Sequence, residues 1–285
     1  MQNGVILAIF SSLVFSVMNA LVKAVSLSIP TAEIVFFRSV IGSVIIYFMM
    51  RQGGVAFSTK GIPMLALRGV LGALYLITYF YTIAKIPLTD ASILVHLSPV
   101  FATILAVLFL KERMNKQIVY VLPLVAVGAV LLVKPFEFTS YSIYALVGIL
   151  SAVFAAGAAI SIRHLSKKHH SYEIVFYFLT TATLVSIPLM WNQFVVPTPL
   201  ELFYLVCIGV VSLLGQVFLT KAFTHENVVV VEVTRYIGIV FNAMWGFLFW
   251  SEVPDVLTII GGICIISACI ALSRKKNHQS QQRAA

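Results

Sequence analysis

The sequence is poor in charged residues, and above all in acidic ones. Its 285 residues include 10 Asp and Glu against 19 Lys and Arg, and charged residues make up 10% of the chain. A soluble globular protein has about 25%, so these charges are too few to cover a water-exposed surface. Hydrophobic residues make up 60%, above the roughly 45–50% of soluble domains. The composition therefore excludes a soluble, disordered or disulfide-rich protein and predicts that lipid surrounds most of the chain.

Cysteine and the motifs of common enzymes are also scarce. The three cysteines lie in apolar stretches, without the spacing of a metal site or a disulfide framework. The chain has no phosphate-binding P-loop, no serine-hydrolase elbow and no zinc-protease motif. We therefore expect neither an enzyme nor a bound metal or other cofactor. The net charge of +9 does not call for a nucleic-acid partner, because the cytoplasmic loops of membrane proteins are rich in Lys and Arg.

Long apolar runs make up most of the sequence. A transmembrane helix needs about 20 mostly apolar residues, and ten stretches meet this requirement. Each stretch is continuously apolar rather than alternating, which favours helices over a β-barrel. The predicted fold class is an all-α integral membrane protein with ten transmembrane helices. Spans 1 to 10 are expected at roughly 4–25, 31–50, 62–83, 88–110, 117–134, 143–163, 172–191, 200–222, 227–250 and 255–273.

Basic residues are distributed unevenly between the two sides of the membrane. With the N-terminus in the cytoplasm, thirteen of the 19 Lys and Arg fall in cytoplasmic loops, three in loops on the other side and three within spans. Cytoplasmic loops of membrane proteins carry such an excess. This pattern predicts a multi-pass protein of the cytoplasmic (inner) membrane with both termini in the cytoplasm.

Short segments recur about 140 residues apart along the chain. The matching segments are 12–15 with 151–154, 33–37 with 173–177, and 109–112 with 249–252. Each unit has five spans, an odd number, so the two units enter the membrane in opposite orientations. Inverted repeats are typical of secondary transporters, which bind substrate at the repeat interface. We therefore predict two inverted five-helix repeats, residues 1–136 and 137–285, the second with a short basic cytoplasmic tail.

Short motifs are spread over both halves of the chain. They are Phe37-Arg38, Leu67-Arg68-Gly69, the run from Tyr79 to Pro87, Pro99, the run from Leu110 to Arg113, the run from Glu232 to Tyr236, Gly246, Glu252-Val253-Pro254 and Gly261-Gly262. Through these motifs the sequence resembles the EamA-type branch of the drug/metabolite transporter superfamily over nearly its whole length. The resemblance implies a ten-helix carrier for a small organic solute that works by alternating access.

The leading functional hypothesis is a secondary active transporter of a small organic metabolite, with export favoured over import. The embedded charges are mostly basic, which favours an amino-acid-like solute or another solute with a carboxylate or phosphate. One alternative is an importer of a vitamin-like or nucleotide-like metabolite. Another is a non-transporting membrane assembly or receptor subunit. The expected partners are the substrate and the lipid bilayer, with protons as a further candidate, and the oligomeric state stays open.

Polar residues inside the spans mark the candidate site. An ionisable side chain at the bilayer centre costs about 2.5–3.5 kcal/mol on insertion scales, so it must face protein or a water-filled cavity. Glu232 and Arg235 share a helix face, and the repeat offset sets His96 opposite Tyr236. Glu232 and His96 are the candidates for a coupling proton. The candidate substrate-binding residues are Arg38, Arg68, Tyr75, Tyr79, His96, Glu232, Arg235, Tyr236, Asn242 and Trp245.

Several of these residues also have a structural interpretation. Arg38 and Arg68 are equally consistent with tying spans 2 and 3 together through backbone carbonyls. Glu232 and Arg235 are also consistent with an ion pair that locks helix packing. Lys23 lies near enough to the end of span 1 to extend its ammonium to the membrane surface.

Overall fold

Helices make up almost all of the structure, a computed structural model that describes residues 2–58, 60–110, 116–133, 140–226, 231 and 234–267. No strand occurs within these ranges. The helices, in chain order, are α1 (Gln2–Val25), α2 (Thr31–Gln52), α3 (Ile62–Lys85), α4 (Leu88–Val95), α5 (Ser98–Leu110), α6 (Lys116–Val133), α7 (Ser140–Leu165), α8 (Ser171–Met190), α9 (Pro199–His225), α10 (Ile237–Trp250) and α11 (Val256–Ser267).

Six of the described helices are long and apolar enough to cross a membrane, namely α1, α2, α3, α7, α8 and α9. They coincide with predicted spans 1, 2, 3, 6, 7 and 8, which confirms the all-helical membrane class. Large apolar side chains cover the outside of the bundle, among them Phe10, Phe48 and Leu184. Such an outer surface is suited to lipid, in which helices satisfy their own backbone hydrogen bonds.

Prolines mark where several helices begin. Pro30 and Pro87 immediately precede α2 and α4, whereas Pro63 and Pro199 lie in the first turns of α3 and α9. The missing N–H of proline is harmless there, because the first N–H groups of a helix have no intrahelical acceptor. Each of these four prolines therefore lies where its missing N–H and fixed φ favour the start of a helix.

Predicted span 4 is not one continuous helix. Helix α4 ends at Val95 and α5 begins at Ser98, with a tight turn in which the Leu97 N–H donates to the Leu94 carbonyl oxygen at 3.1 Å. Pro99 accounts for the break, since it has no N–H to donate and its ring would clash with the carbonyl four residues earlier in an unbroken helix. The expectation of a single helix over 88–110 is corrected accordingly.

Predicted span 9 is interrupted as well. Its described part turns at Arg235 and Tyr236, where the Gly238 N–H donates to the Arg235 carbonyl oxygen at 2.9 Å, and α10 begins at Ile237. Residues 227–230, 232 and 233 lie outside the described ranges. The interruptions of spans 4 and 9 are separated by nearly the repeat offset.

Helices from the first half of the chain pack directly against helices from the second half. Helix α1 lies along α9, α2 along α8 and α3 along α7, and α10 contacts both α1 and α4. Small residues allow this approach: a Cβ on Gly209 would lie 2.7 Å from Ile41, and one on Gly69 would lie 2.4 Å from Thr181. Small residues at helix interfaces let backbones come close in membranes. The centre of the molecule is therefore an interface between its two halves.

Candidate functional site

A cavity lies between the two halves, beside both helix interruptions. Its walls come from α1, α3, α7, α9 and α10 and from the break between α4 and α5, with Arg38 contributed by α2. The candidate residues of the sequence analysis lie in spans 2, 3, 4 and 9, and each of these four spans contributes to the walls. Seven predicted site residues line the cavity: Arg38, Arg68, Tyr75, Tyr79, His96, Arg235 and Asn242.

Two arginines of the cavity wall are buried without an acidic partner among the described residues. Arg38 is 1% exposed and Arg68 is 3% exposed. Their guanidinium carbons lie 5.6 and 4.4 Å from the centre of the Phe178 ring. The Nε and Nη1 atoms of both side chains make no hydrogen bond in the described structure. The proposed tie to backbone carbonyls is therefore not formed by these atoms.

His96 connects the two interruptions. Its Nδ1 lies 2.6 Å from the Ser92 carbonyl oxygen and its Nε2 lies 3.2 Å from the Arg235 carbonyl oxygen. Its ring centre is 5.3 Å from that of Tyr236. Carbonyl oxygens only accept hydrogen bonds, and a neutral imidazole has a single N–H. Both contacts are hydrogen bonds only when both ring nitrogens carry a proton.

A polar network centred on Asn19 joins four helices at the cavity. The Asn19 amide group donates to the Tyr79 hydroxyl at 3.1 Å and to Asn242 Oδ1 at 3.3 Å, and Asn242 donates to the Ser92 hydroxyl at 2.9 Å. The Tyr79 ring also stacks on Tyr75, with centres 5.6 Å apart and planes 15° apart. The network connects α1, α3, α4 and α10, so it holds the two halves in register around the cavity.

The remaining predicted site residues lie outside the cavity wall or outside the described ranges. The Trp245 indole N–H donates to the Ser16 hydroxyl at 3.0 Å, so Trp245 supports a lining residue from behind. Tyr236 contacts the His96 ring. Glu232 lies outside the described residues, and the predicted pairing of Glu232 with Arg235 stays a prediction.

A second polar cluster, which we call the clamp, consists of Lys23, Ile86, Leu88 and Glu252. Lys23 forms an ion pair with Glu252 and donates to the Ile86 carbonyl oxygen at 3.1 Å. The Glu252 carboxylate accepts from the Leu88 N–H at 2.8 Å. The clamp thereby joins the end of α1, the start of α4 and the segment after α10. Sequence reasoning treated Lys23 alone; the recurrence of 109–112 at 249–252 was the available signal for Glu252.

The comparisons with known proteins agree with this architecture. The model of the EamA-like transporter family matches residues 2–134 and again residues 142–274. The pseudopaline exporter CntI of Pseudomonas aeruginosa is 64% identical over 277 residues, which cover 97% of this chain and 98% of CntI. The S-adenosylmethionine uptake transporter of Rickettsia prowazekii is 27% identical, with 98% of this chain and 97% of that protein covered.

Two further similarities also cover nearly the whole chain. Human solute carrier family 35 member G1 is 27% identical, with 98% of this chain and 81% of that protein covered. A crystal structure of a protein that is 17% identical superposes with a TM-score of 0.67 and covers 96% of this chain and 99% of that one. This last likeness concerns the fold alone. The chain belongs to the EamA-like transporter family, in the drug/metabolite transporter superfamily, and is a multi-pass membrane transporter with a small-molecule substrate rather than an enzyme.

Proposed function

We propose that the chain exports a small anionic organic metabolite across the cytoplasmic membrane, and that the cavity is its binding site. The observation that carries the proposal is the location of the cavity between the two halves, beside two interrupted helices. Secondary transporters bind solutes where discontinuous helices meet near the bilayer midplane. Arg38 and Arg68 line this cavity without an acidic partner among the described residues, and surplus positive charge favours anions.

The direction and a first substrate follow from the relative named as an exporter. CntI is 64% identical over nearly the whole chain, so pseudopaline is the first solute to test. The chain is expressed in bacteria that make pseudopaline but lack their own exporter, and mass spectrometry measures pseudopaline inside and outside the cells. Export lowers the internal amount and restores the external amount. Unchanged internal accumulation, with normal amounts of the chain in the membrane, would contradict pseudopaline export.

Import of a nucleotide-like metabolite is the second candidate, because one relative is an S-adenosylmethionine uptake transporter at 27% identity. Arg38 and Arg68 in the cavity wall argue against it, since the sulfonium of S-adenosylmethionine adds a positive charge to the solute. Proteoliposomes containing the chain and radiolabelled S-adenosylmethionine outside test this candidate. Uptake above that of empty vesicles would favour import over the proposed export.

The mechanism we propose is alternating access between two inverted repeats, residues 1–136 and 137–285. Two buried acids at equivalent repeat positions support this arrangement. Glu33 accepts a hydrogen bond from the Val195 N–H at 3.0 Å, and Glu173 accepts one from the Ser58 N–H at 2.7 Å. Glu33 of α2 therefore binds the loop after α8, and Glu173 of α8 binds the loop after α2. Each acid contacts a loop in the other half of the chain. Both termini are then cytoplasmic, as the positive-inside distribution predicts.

We also propose a coupling proton carried by His96, with Glu232 as the other candidate. The two carbonyl contacts of His96 are satisfied together only in the doubly protonated ring. Arg235 and Tyr236 face the imidazole from the interruption before α10, and the Arg235 guanidinium opposes a second positive charge. Gain or loss of one proton would therefore make or break a contact between the two halves.

A further inference from the structure

Two arginines of the cavity wall share one aromatic neighbour. Arg38 comes from α2 and Arg68 from α3, and both guanidinium groups lie against the Phe178 ring of α8. Arg38 also lies 6.0 Å from the centre of the Phe80 ring. Stacking on a ring face stabilises the flat guanidinium but leaves its in-plane N–H groups available. The rings therefore position the two cations without neutralising them.

Among the described residues, no acidic side chain forms an ion pair with Arg38 or Arg68. Lys23 pairs with Glu252 and His169 contacts Glu173, and neither Arg38 nor Arg68 takes part in these contacts. A buried charge without a partner is strongly unfavourable, and two like charges against one ring add mutual repulsion. An anion bound in the cavity would relieve both costs. A single negative charge would neutralise only one guanidinium, whereas two would neutralise the pair.

We infer that Arg38 and Arg68 form a subsite for a doubly negative group on the solute, either two neighbouring carboxylates or one phosphate. The inference rests on the proposed function only in taking the cavity as the solute site. Both anions match the fork of N–H donors that an arginine presents. The same inference explains why both positions are arginine rather than lysine, since an ammonium offers no planar fork.

Gly72 shows that the local backbone leaves room for this arrangement. A Cβ at Gly72 would lie 2.1 Å from Arg68 Nη1 and 2.6 Å from Phe178. Any larger residue would push the guanidinium off the ring. The chain therefore keeps a glycine one helical turn after Arg68, at the place where the stacked side chain folds back along α3.

Binding to the purified full-length protein in nanodiscs tests the subsite. Isothermal titration calorimetry at constant ionic strength compares succinate, inorganic phosphate and acetate. Succinate or phosphate is expected to bind about tenfold or more tightly than acetate, because hydrogen bonds to a second charged group are gained. The tighter of the two identifies the dicarboxylate or the phosphate as the group recognised. Acetate binding as tightly as both would overturn the inference.

Substitutions then locate the binding. Arg38→Gln and Arg68→Gln are each expected to weaken binding of the tighter dianion about tenfold or more. If a glutamine variant does not fold, Arg38→Lys and Arg68→Lys replace it, because they keep the positive charge. Both lysine variants are also expected to bind the dianion more weakly, since an ammonium lacks the planar fork of donors. Arg51→Gln is the matched control, because Arg51 lies on the same helix as Arg38 and over the Tyr47 ring at 5.9 Å, but is exposed and outside the cavity. Its affinity is expected to match that of the unaltered protein.

The melting temperature without ligand separates binding from a purely structural role. Removing a guanidinium that has no partner should not lower it, whereas removing a structural contact should. A variant that melts earlier yet binds the dianion normally would overturn the subsite. Export of pseudopaline by a chain that binds neither dianion would also overturn it and leave the proposed function intact. Dianion binding without export of any tested solute would instead contradict the proposed function.

Discussion

Breaking the clamp should open the cavity toward the side of the membrane that the sequence predicts to be outside. The Lys23 and Glu252 side chains are 12% and 15% exposed, between a surface pair and a buried one. Exposed pairs contribute about 0.2–1 kcal/mol, and breaking a buried pair costs about 3–5 kcal/mol. We therefore expect Glu252→Gln to cost about 1–3 kcal/mol of the closed state, a shift of about 5–150-fold between closed and open forms.

Cysteine labelling measures this shift. Ser98 lines the cavity and is 8% exposed, so Ser98→Cys in a cysteine-free background reports access to it. A membrane-impermeant maleimide added outside should react at least about fivefold faster when Glu252→Gln is present. The control is Glu201→Gln, an acid predicted on the same side, which caps α9 together with Thr198. Equal rates with and without Glu252→Gln would refute the role of the clamp in closing the cavity.

A charge swap tests whether the backbone contacts matter as much as the ion pair. Lys23→Glu combined with Glu252→Lys restores opposite charges. The backbone partners cannot adapt to the swap. A carboxylate at position 23 would face the Ile86 carbonyl oxygen, which cannot donate, and an ammonium at position 252 would face the Leu88 N–H, which cannot accept. The swapped pair should therefore still label faster than the unaltered clamp. Recovery of the original labelling rate would show that charge attraction alone holds the clamp.

Three further outcomes test topology, site geometry and coupling. In a cysteine-free background, Ser171→Cys should label from the cytoplasm and Thr198→Cys from outside; the reverse at both positions would refute the predicted orientation. Gly72→Ala should displace the Arg68 guanidinium and weaken dianion binding about tenfold or more in calorimetry; unchanged affinity would contradict the stacked geometry. His96→Gln should flatten the pH dependence of pseudopaline transport in proteoliposomes; an unchanged pH profile would exclude His96 as the proton carrier.

The long helices were predictable from the sequence because lipid leaves a local signal. Continuous apolar runs correspond to α1, α2, α3, α7, α8 and α9. The two helix interruptions have no comparable signal, since polar residues occur both there and in unbroken helices, such as Arg38 in α2. Pro99 follows the turn between α4 and α5, whereas the turn at Arg235 and Tyr236 has no proline.

The cavity was partly predictable for a different reason. The cost of charge in lipid identified Arg38, Arg68 and Arg235, because a membrane tolerates such residues only where they face protein or water. Phe178 escaped notice because an aromatic residue in an apolar helix looks like any other packing residue. The partner of Lys23 was also hidden, because Glu252 is 229 residues away and only tertiary structure brings the two together.

The proposed inverted repeat relates the clamp to two residues predicted on the opposite side of the membrane, and the proposed alternating access would require the two pairs to form in turn. At an offset of 140, Arg163 corresponds to Lys23 and Glu112 to Glu252. Arg163 is exposed here while Lys23 is engaged, and Glu112 lies outside the described residues. If Arg163 and Glu112 form the clamp of the outward-open state, Arg163→Gln should slow labelling of Ser98→Cys from outside, by up to about fivefold for a loss of about 1 kcal/mol. Glu252→Gln should change the labelling rate in the opposite direction, because it destabilises the state that is closed to the outside, whereas Arg163→Gln would destabilise the outward-open state. An unchanged or faster labelling rate would mean that the two pairs are not alternatives in one transport cycle.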